Sequence, residues 1–322
     1  MSLSLRQFSK VHQILVRTMS ISSPTFTKTE ECVQSLQPDA KRLKKSSQST
    51  EVNLVKAQIA LEDLEHNERR LRSLLLEVSD HVTAHSRITR PELRFTGGWV
   101  RDKLMGSRSD DIDVSITTMT GMEFAKQVRD YTMMEEVKAR YGENVLGKTA
   151  KIGANPKMSK HLETATVKFW KSLEVDFVNT RTETYSEKSR TPQMQYGSPR
   201  EDANRRDATI NALFYNLKNS EIEDLTGRGI RDLGSHLIKT PLEPAQTFTD
   251  DPLRILRHIR FASRFGFDID PEDRSAMSNE DIKGALRTKV TRERVFKEIE
   301  KTLKGTTMLP HDRGGRLMAN RA

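Results

Sequence analysis

The chain has one cysteine, Cys32, in 322 residues. A single thiol excludes an intramolecular disulfide and any zinc site built from several cysteines. Long apolar runs are also missing. Nothing approaches the roughly 18 consecutive apolar residues that a membrane-spanning helix needs, so no membrane partner is expected. Apolar residues are 35% of the chain, aromatics 6% and charged residues 31%, which describes a small core under a heavily charged surface. Acid is absent from the first 28 residues, which hold Arg6, Lys10, Arg17, Lys28 and six serines ahead of Glu30, the first carboxylate. That composition reads as a mitochondrial targeting segment, with an ordinary disordered tail as the plainer reading. A start at Met19 would remove most of it and leave a cytoplasmic or nuclear form.

What the chain does have is positive charge. The formal net charge of +9 suits a polyanionic partner, or simply a soluble surface. The length allows about two domains. Residues 1–50 look unpacked, and Lys41-Arg42-Leu43-Lys44-Lys45 within them reads as a solvated linker, a nuclear signal or a phosphate contact. From 51 to 82, apolar residues recur at helical spacing. Leu93–Thr96 reads as a short strand, Trp99–Met105 as a short helix, and residues 121–140 as a longer one. Residues 141–163, with Gly142, Gly147, Gly153 and Pro156, read as a mobile loop, and residues 186–202 as a second loop. Arg206–Asn216 reads as a helix or buried turn, and Asp224–Leu233 as a turn. Residues 250–266 and 290–303 read as amphipathic helices.

Chemistry concentrates between residues 97 and 113. Gly97-Gly98 lets backbone amides approach a phosphate closely, and the helix that follows adds a favourable dipole. Arg101 is placed to contact that phosphate, with Asp102 bracing the turn. A lone glycine pair is also an ordinary tight turn. Beyond it, Asp111–Ile116 alternates strictly, which puts Asp111 and Asp113 on one strand face with Cα atoms ~6.6 Å apart. Two such carboxylates suit Mg2+, whose shell is completed by water and substrate phosphate; taken alone, an Asp-x-Asp pair also describes a solvated strand edge. Leu173–Phe177 alternates again. It offers Glu174 or Asp176 as a third carboxylate, or Asp176 as a structural hydrogen-bonding group.

These residues resemble a known family. Gly97-Gly98-Trp99-Val100-Arg101-Asp102-Lys103-Leu104-Met105-Gly106 with Asp111-Ile112-Asp113 is similar to the signature of class II CCA-adding tRNA nucleotidyltransferases of the polymerase β superfamily. Val175–Asn179 with Arg181-Thr182-Glu183, then Arg205–Leu213, then Asp250–Arg257 resemble three further motifs of the family, in the same order. The match spans roughly residues 51–304 and is closest to eukaryotic, especially fungal, members. It implies an α+β fold: a polymerase β-like head with a small mixed or antiparallel sheet and helices (51–220), then a helical neck (221–304). It also implies a reaction, in which the 3′ hydroxyl of an immature tRNA attacks the α-phosphate of CTP or ATP and releases pyrophosphate without a nucleic-acid template. Asp111, Asp113 and Asp176 would then be catalytic, with Asp111 and Asp113 holding metal. Gly97, Gly98, Arg101, Arg257 and Arg260 would take triphosphate, and Arg206, Asp207 and Asn211 the ribose and nucleotide. The loop at 141–163 falls where the family carries a flexible element that helps the change from CTP to ATP.

Asp251 and Arg254, three apart, are neighbours on a helix and would select the base. A carboxylate only accepts hydrogen bonds and a guanidinium only donates them. Cytosine and adenine both present an amine beside an acceptor nitrogen, so one Asp–Arg pair can read either. Uracil and guanine set a carbonyl against the carboxylate, at a cost of roughly 1–3 kcal/mol. The chain departs from the family in two places. Asp250 stands where many members have glutamate, and Thr306–Ala322 is polar and basic where the family continues into helical body and tail domains. A truncated chain with weakened CCA addition is therefore expected. CC-adding, A-adding and poly(A)-adding enzymes, or a nucleotide- and tRNA-binding form without turnover, share the same head motifs.

Overall fold

A computed structural model describes residues 58–86, 89–109, 111–146, 164–186 and 189–305. The targeting segment, the basic run at 41–45, the loop residues 147–163 and the tail from 306 lie outside the described residues. A short 3-10 turn (Leu61–Asp63) leads into α1 (His66–His85), whose apolar stripe of Leu71, Leu74, Leu75, Val78 and Val82 is buried, as its spacing predicts. Glu68 on α1 is buried as well. Its two carboxylate oxygens accept from Trp99 Nε1 at 2.9 Å and face Lys103 Nζ at 2.7 Å, which ties α1 to the helix after the glycine pair.

Next come β1 (Leu93–Thr96), α2 (Gly98–Leu104) and β2 (Asp111–Ile116). The helix read at 121–140 is two, α3 (Gly121–Thr132) and α4 (Glu135–Tyr141), broken at Met133-Met134. Strands β3 (Ala165–Phe169) and β4 (Leu173–Asn179) follow, then a ribbon of β5 (Arg181–Ser186) and β6 (Ser189–Tyr196). The loop expected at 186–202 is thus replaced by β6 and α5 (Pro199–Asn204), the latter opened by a Ser198/Glu201 capping box.

Residues 206–216 form a 3-10 turn (Thr209–Asn211) and β7 (Leu213–Asn216) instead of a regular helix, because Leu213, Phe214 and Tyr215 are all buried in the sheet. The turn expected from 224 holds the end of β8 (Glu221–Asp224) and α6 (Gly229–Gly234). A two-residue strand β9 (Leu237–Ile238), α7 (Pro244–Asp250), α8 (Leu253–Phe265) and β10 (Asp268–Ile269) come next. The chain continues through α9 (Pro271–Met277), α10 (Glu280–Lys289) and α11 (Arg292–Lys304). Gly266 ends α8 in the left-handed conformation that glycine adopts without penalty.

The central sheet has six strands in the order β3-β4-β2-β1-β7-β8. Only the β2–β4 pair is parallel; the other four are antiparallel. This is the mixed sheet with helices of the polymerase β nucleotidyltransferase fold. The register puts Val114 between Phe95 and Phe177, all three fully buried. Because side chains alternate across a strand, Asp111 and Asp113 are left on the opposite face. Among the described residues no helix is long and apolar enough to cross a membrane.

Candidate active site

The carboxylates come together through strand pairing. Parallel pairing sets Asp113 opposite Asp176 and Asp111 opposite Glu174, so four acids share one sheet face. Asp111 is exposed, while Asp113 and Asp176 are half-buried. Thr166 on β3 lies opposite Asp176 and donates its Oγ1–H to Oδ1 at 2.5 Å. Among the described residues no hydrogen-bond donor reaches the Asp113 carboxylate. Burial pushes Asp113 up to about 6; Arg206 opposes this, and the charges of Asp176, Asp111 and Asp202 add to it.

These are hard oxygen donors crowded on one face, the chemistry of a divalent-cation site. Among the described residues no three His, Cys, Asp or Glu side chains already converge on a single ion position. The donor set therefore fits a divalent metal bound by one or two carboxylates and completed by oxygens from water or a ligand.

Gly97 makes the turn between β1 and α2 at φ 72°, ψ −125°, and its N–H is bonded to Leu213 O at 3.1 Å. The backbone angle requires glycine, and a Cβ there, 2.9 Å from Arg206 Nη1, would push that guanidinium aside. Gly98 opens α2, which is only seven residues long. Backbone amides at the turn, more than a macrodipole, are what such a short helix has for a phosphate.

Arg206 lies against this turn. It donates to Asn211 O at 2.9 Å, pairs with Asp202 at 2.9 Å and stacks over the Phe214 ring. Asp202 also pairs with Arg205 and is held below the usual carboxylate range: burial acts against the shift, and Arg206 and Arg205 outweigh it.

A second group of residues is buried and closed on itself. Arg101 is 5% exposed, bonded to Asp102 and to Asn211 Oδ1, and stacked over Phe265. Asn211 Nδ2 donates to Asp207 Oδ1 at 3.0 Å, and Arg257 Nε donates to Asp207 Oδ2. Burial opposes ionisation of Asp207, yet the charge of Arg257 and the Asn211 amide hold its carboxyl far below the ordinary value. The same contact raises Arg257. His258 Nε2 faces Asp207 O at 2.7 Å, and its Nδ1 sits 3.4 Å from Asp273 Oδ2. Burial lowers His258 to about 4 and raises Asp273 to about 7.

On α8, Arg254 is buried and donates to Arg205 O at 2.6 Å and to Thr247 O at 3.4 Å. Asp251 Oδ1 accepts from Leu253 N at 3.2 Å, and its Oδ2 lies 3.6 Å from Arg294 of α11. Arg260 pairs with Glu298 of α11 at 2.6 Å.

The structure thus joins Arg101, Asp207, Asn211 and Arg257 in one network. It sets Arg206 against Gly97 and places Asp111, Asp113 and Asp176 on one face. Asp202, His258, Arg294 and Glu298 were not read from the sequence. The i,i+4 spacing of Asp202 and Arg206 was visible there. The pairing of α11 with α8 had no local signal.

Residues 93–239 match the poly A polymerase head domain. The mixed sheet and the acid-bearing strands all fall within that matched stretch, so residues 93–239 form a head of that nucleotidyltransferase type. Over 217 residues it is 52% identical to the mitochondrial CCA tRNA nucleotidyltransferase of Saccharomyces cerevisiae, covering 67% of this chain and 39% of the yeast protein. Over 246 residues it is 51% identical to nucleotidyltransferase lcsQ of Purpureocillium lilacinum, covering 76% of this chain and 41% of that protein. A solved complex of a CCA-adding enzyme with CTP superposes with a TM-score of 0.56 at 26% identity, over 76% of this chain and 49% of that one. The chain therefore spans about two fifths of the length of these two curated relatives.

Proposed function

We propose that this chain carries the head (51–220) and neck (221–304) of a CCA-adding tRNA nucleotidyltransferase, with Mg2+ as its divalent ion and CTP, ATP and the immature 3′ end of a tRNA as substrates. The observation that carries the reading is the continuity of the polar network. Arg206 spans from the glycine turn to Asp202 and Asn211, Asn211 leads to Asp207 and Arg257 on α8, and α8 begins beside the base-reading pair Asp251 and Arg254. Glycine turn and base-reading helix are thus one connected unit, and the charge of Arg206 within it also acts on Asp113 of the carboxylate face.

Bound divalent metal would activate the attacking hydroxyl and offset charge on the leaving pyrophosphate. Asp111 and Asp113 would hold it, with Asp176 shaping the same face. The Gly98 amide would take the triphosphate at the turn made by Gly97, whose own N–H is bonded to Leu213 O, with Arg257 and Arg260 assisting. Arg206, Asp207 and Asn211 would position the ribose, and Arg101 would support them from beneath through Asn211. Asp251 would accept from the base amine and Arg254 donate to the adjacent ring nitrogen. The yeast relative's name and the acid-free N-terminal segment support a mitochondrial form.

The test is incorporation of labelled CTP and ATP into tRNA lacking CCA, followed by sequencing of product ends. Ends reading CCA, lost with Asp111→Ala, support the proposal. Ends reading only CC, a single A or a run of A would reassign the chain to a partial-specificity enzyme. Binding of nucleotide without incorporation would make it a non-productive form.

A further inference from the structure

We propose that Arg294, on α11, is a specificity-determining residue that holds the base-reading carboxylate of Asp251 in place. The proposal rests on the reading of Asp251 as the acceptor for the base amine. Asp251 caps α7 and precedes α8 in extended backbone (φ −134°, ψ 95°), its N–H donating to Thr247 O at 3.4 Å and its C=O accepting from Arg254 N at 3.0 Å, which fixes its backbone but not its side chain. Its side-chain amide contact, Leu253 N to Oδ1, is 3.2 Å long. A carboxylate held by one such bond still turns about a broad, two-fold χ2 torsion. The second restraint is the guanidinium of Arg294, whose Nη2 stands 3.6 Å from Oδ2. One oxygen is thus fixed by α8 and the other by α11.

Selectivity depends on this restraint. Uracil is refused because its carbonyl meets an acceptor where cytosine presents a donor. That penalty applies only if the carboxylate cannot rotate away from the wrong base. Arg294 is itself positioned by α11, which is anchored one helical turn further on by the Glu298–Arg260 pair, whose side chains are 7% and 12% exposed. Arg260 belongs to α8, so the helix that carries the reading residues also fixes the helix that restrains them.

Arg294 is 43% exposed, so its pair with Asp251 contributes little to stability. What it supplies is orientation. Its separation from Oδ2 is that of an ion pair, not of a direct hydrogen bond, and a carboxylate oxygen has a second lone pair for the arriving amine.

The experiment is equilibrium dialysis of labelled CTP and labelled UTP against the full chain with Mg2+, comparing wild type with Arg294→Met, Arg294→Lys and Asp251→Ala. The Arg294→Met protein should lose about fivefold of the CTP-over-UTP preference, the upper end of what an exposed ion pair contributes, chiefly through tighter UTP binding. Arg294→Lys should recover part of it, and the thermal midpoint should stay at the wild-type value in both. An unchanged preference in Arg294→Met, beside a preference abolished by Asp251→Ala, would overturn the role of Arg294 alone. Equal binding of CTP and UTP by wild type, or a preference that survives Asp251→Ala, would overturn the base-reading role of Asp251 and this proposal with it.

Discussion

Asp113 and Asp207 are the same side chain placed in opposite circumstances. Asp113 stands on a strand face among other acids, with no protein donor among the described residues reaching it, and burial raises its pKa to about 6. Asp207 is more deeply buried, yet it is bonded by Asn211 and Arg257 and sits far below the ordinary value. The protein completes Asp207 and leaves Asp113 incomplete. An acid kept without partners is a place for charge brought by something else, whereas an acid with every contact made is a fixed part of the wall. On the proposed function, the residues read from the sequence as one set of ligands divide into groups that meet substrate and groups that hold those groups still.

The widest separation should appear with Asp113→Ala. Incorporation of labelled CTP should fall on the order of 10²–10³-fold, as when a group that offsets transition-state charge is removed. The urea midpoint should hold or rise, since a crowded buried charge has gone. A variant that loses stability in step with activity would contradict this. Asp207→Ala should behave in the opposite sense, destabilising the fold by about 1–3 kcal/mol because the buried Asn211 amide loses its acceptor and the partly exposed Arg257 its ion partner. Urea unfolding of that variant at the wild-type midpoint would place Asp207 with the incomplete acids instead.

Gly97→Ala tests the turn between the two regions. A side chain at φ 72° is strained by roughly 1–3 kcal/mol, and it must also displace Arg206. Nucleotide affinity and stability should both fall, and Gly97→Ala combined with Arg206→Ala should recover part of the stability loss.

The smallest effect concerns His258 and Asp273. A histidine whose folded pKa is lowered contributes stability above its unfolded value near 6.5 and loses it as pH falls towards about 4. A carboxyl raised to about 7 contributes stability below its unfolded value near 3.8 and loses it as pH rises. Between about 4 and 6.5 the two cancel, because folded and unfolded chains each keep one proton on the pair. Asp273→Asn should uncover the histidine alone. The variant's stability should drop from pH 6.5 to pH 4 relative to wild type, measured as the difference in urea midpoint; parallel profiles would refute the cancellation.

Local pattern carried much of this fold. The alternation in Asp111–Ile116 appears as a strand with the same bounds, and the helix expected over 250–266 appears as α8, which starts at Leu253 after the break at Asp251-Pro252. What escaped the sequence was set by distant partners. Residues 186–202, with Pro192, Gly197 and Pro199, carry turn residues, yet pairing with β5 makes most of the stretch a strand. For Arg206–Asn216 the buried-turn reading holds over Thr209–Asn211, while the strand that follows was set by burial of Leu213–Tyr215 in the sheet. For the site, acids and arginines could be named from their spacing. Which of them would pair with one another could not, because Arg257–Asp207 and Arg294–Asp251 join residues more than forty positions apart.

The one parallel pairing within the six-stranded sheet, between β2 and β4, also bears on how the protein folds. Parallel neighbours cannot be joined by a tight turn, and here the connection runs through α3, α4 and β3 before β4 reaches its place. Asp113 and Asp176 therefore meet only after a long stretch of chain has been closed, an entropic cost met late in folding. The β7–β8 hairpin, and the β1–β2 pair joined through the short α2, can form early from near neighbours. The acidic face should be the last part of the sheet to acquire protection from hydrogen exchange during refolding.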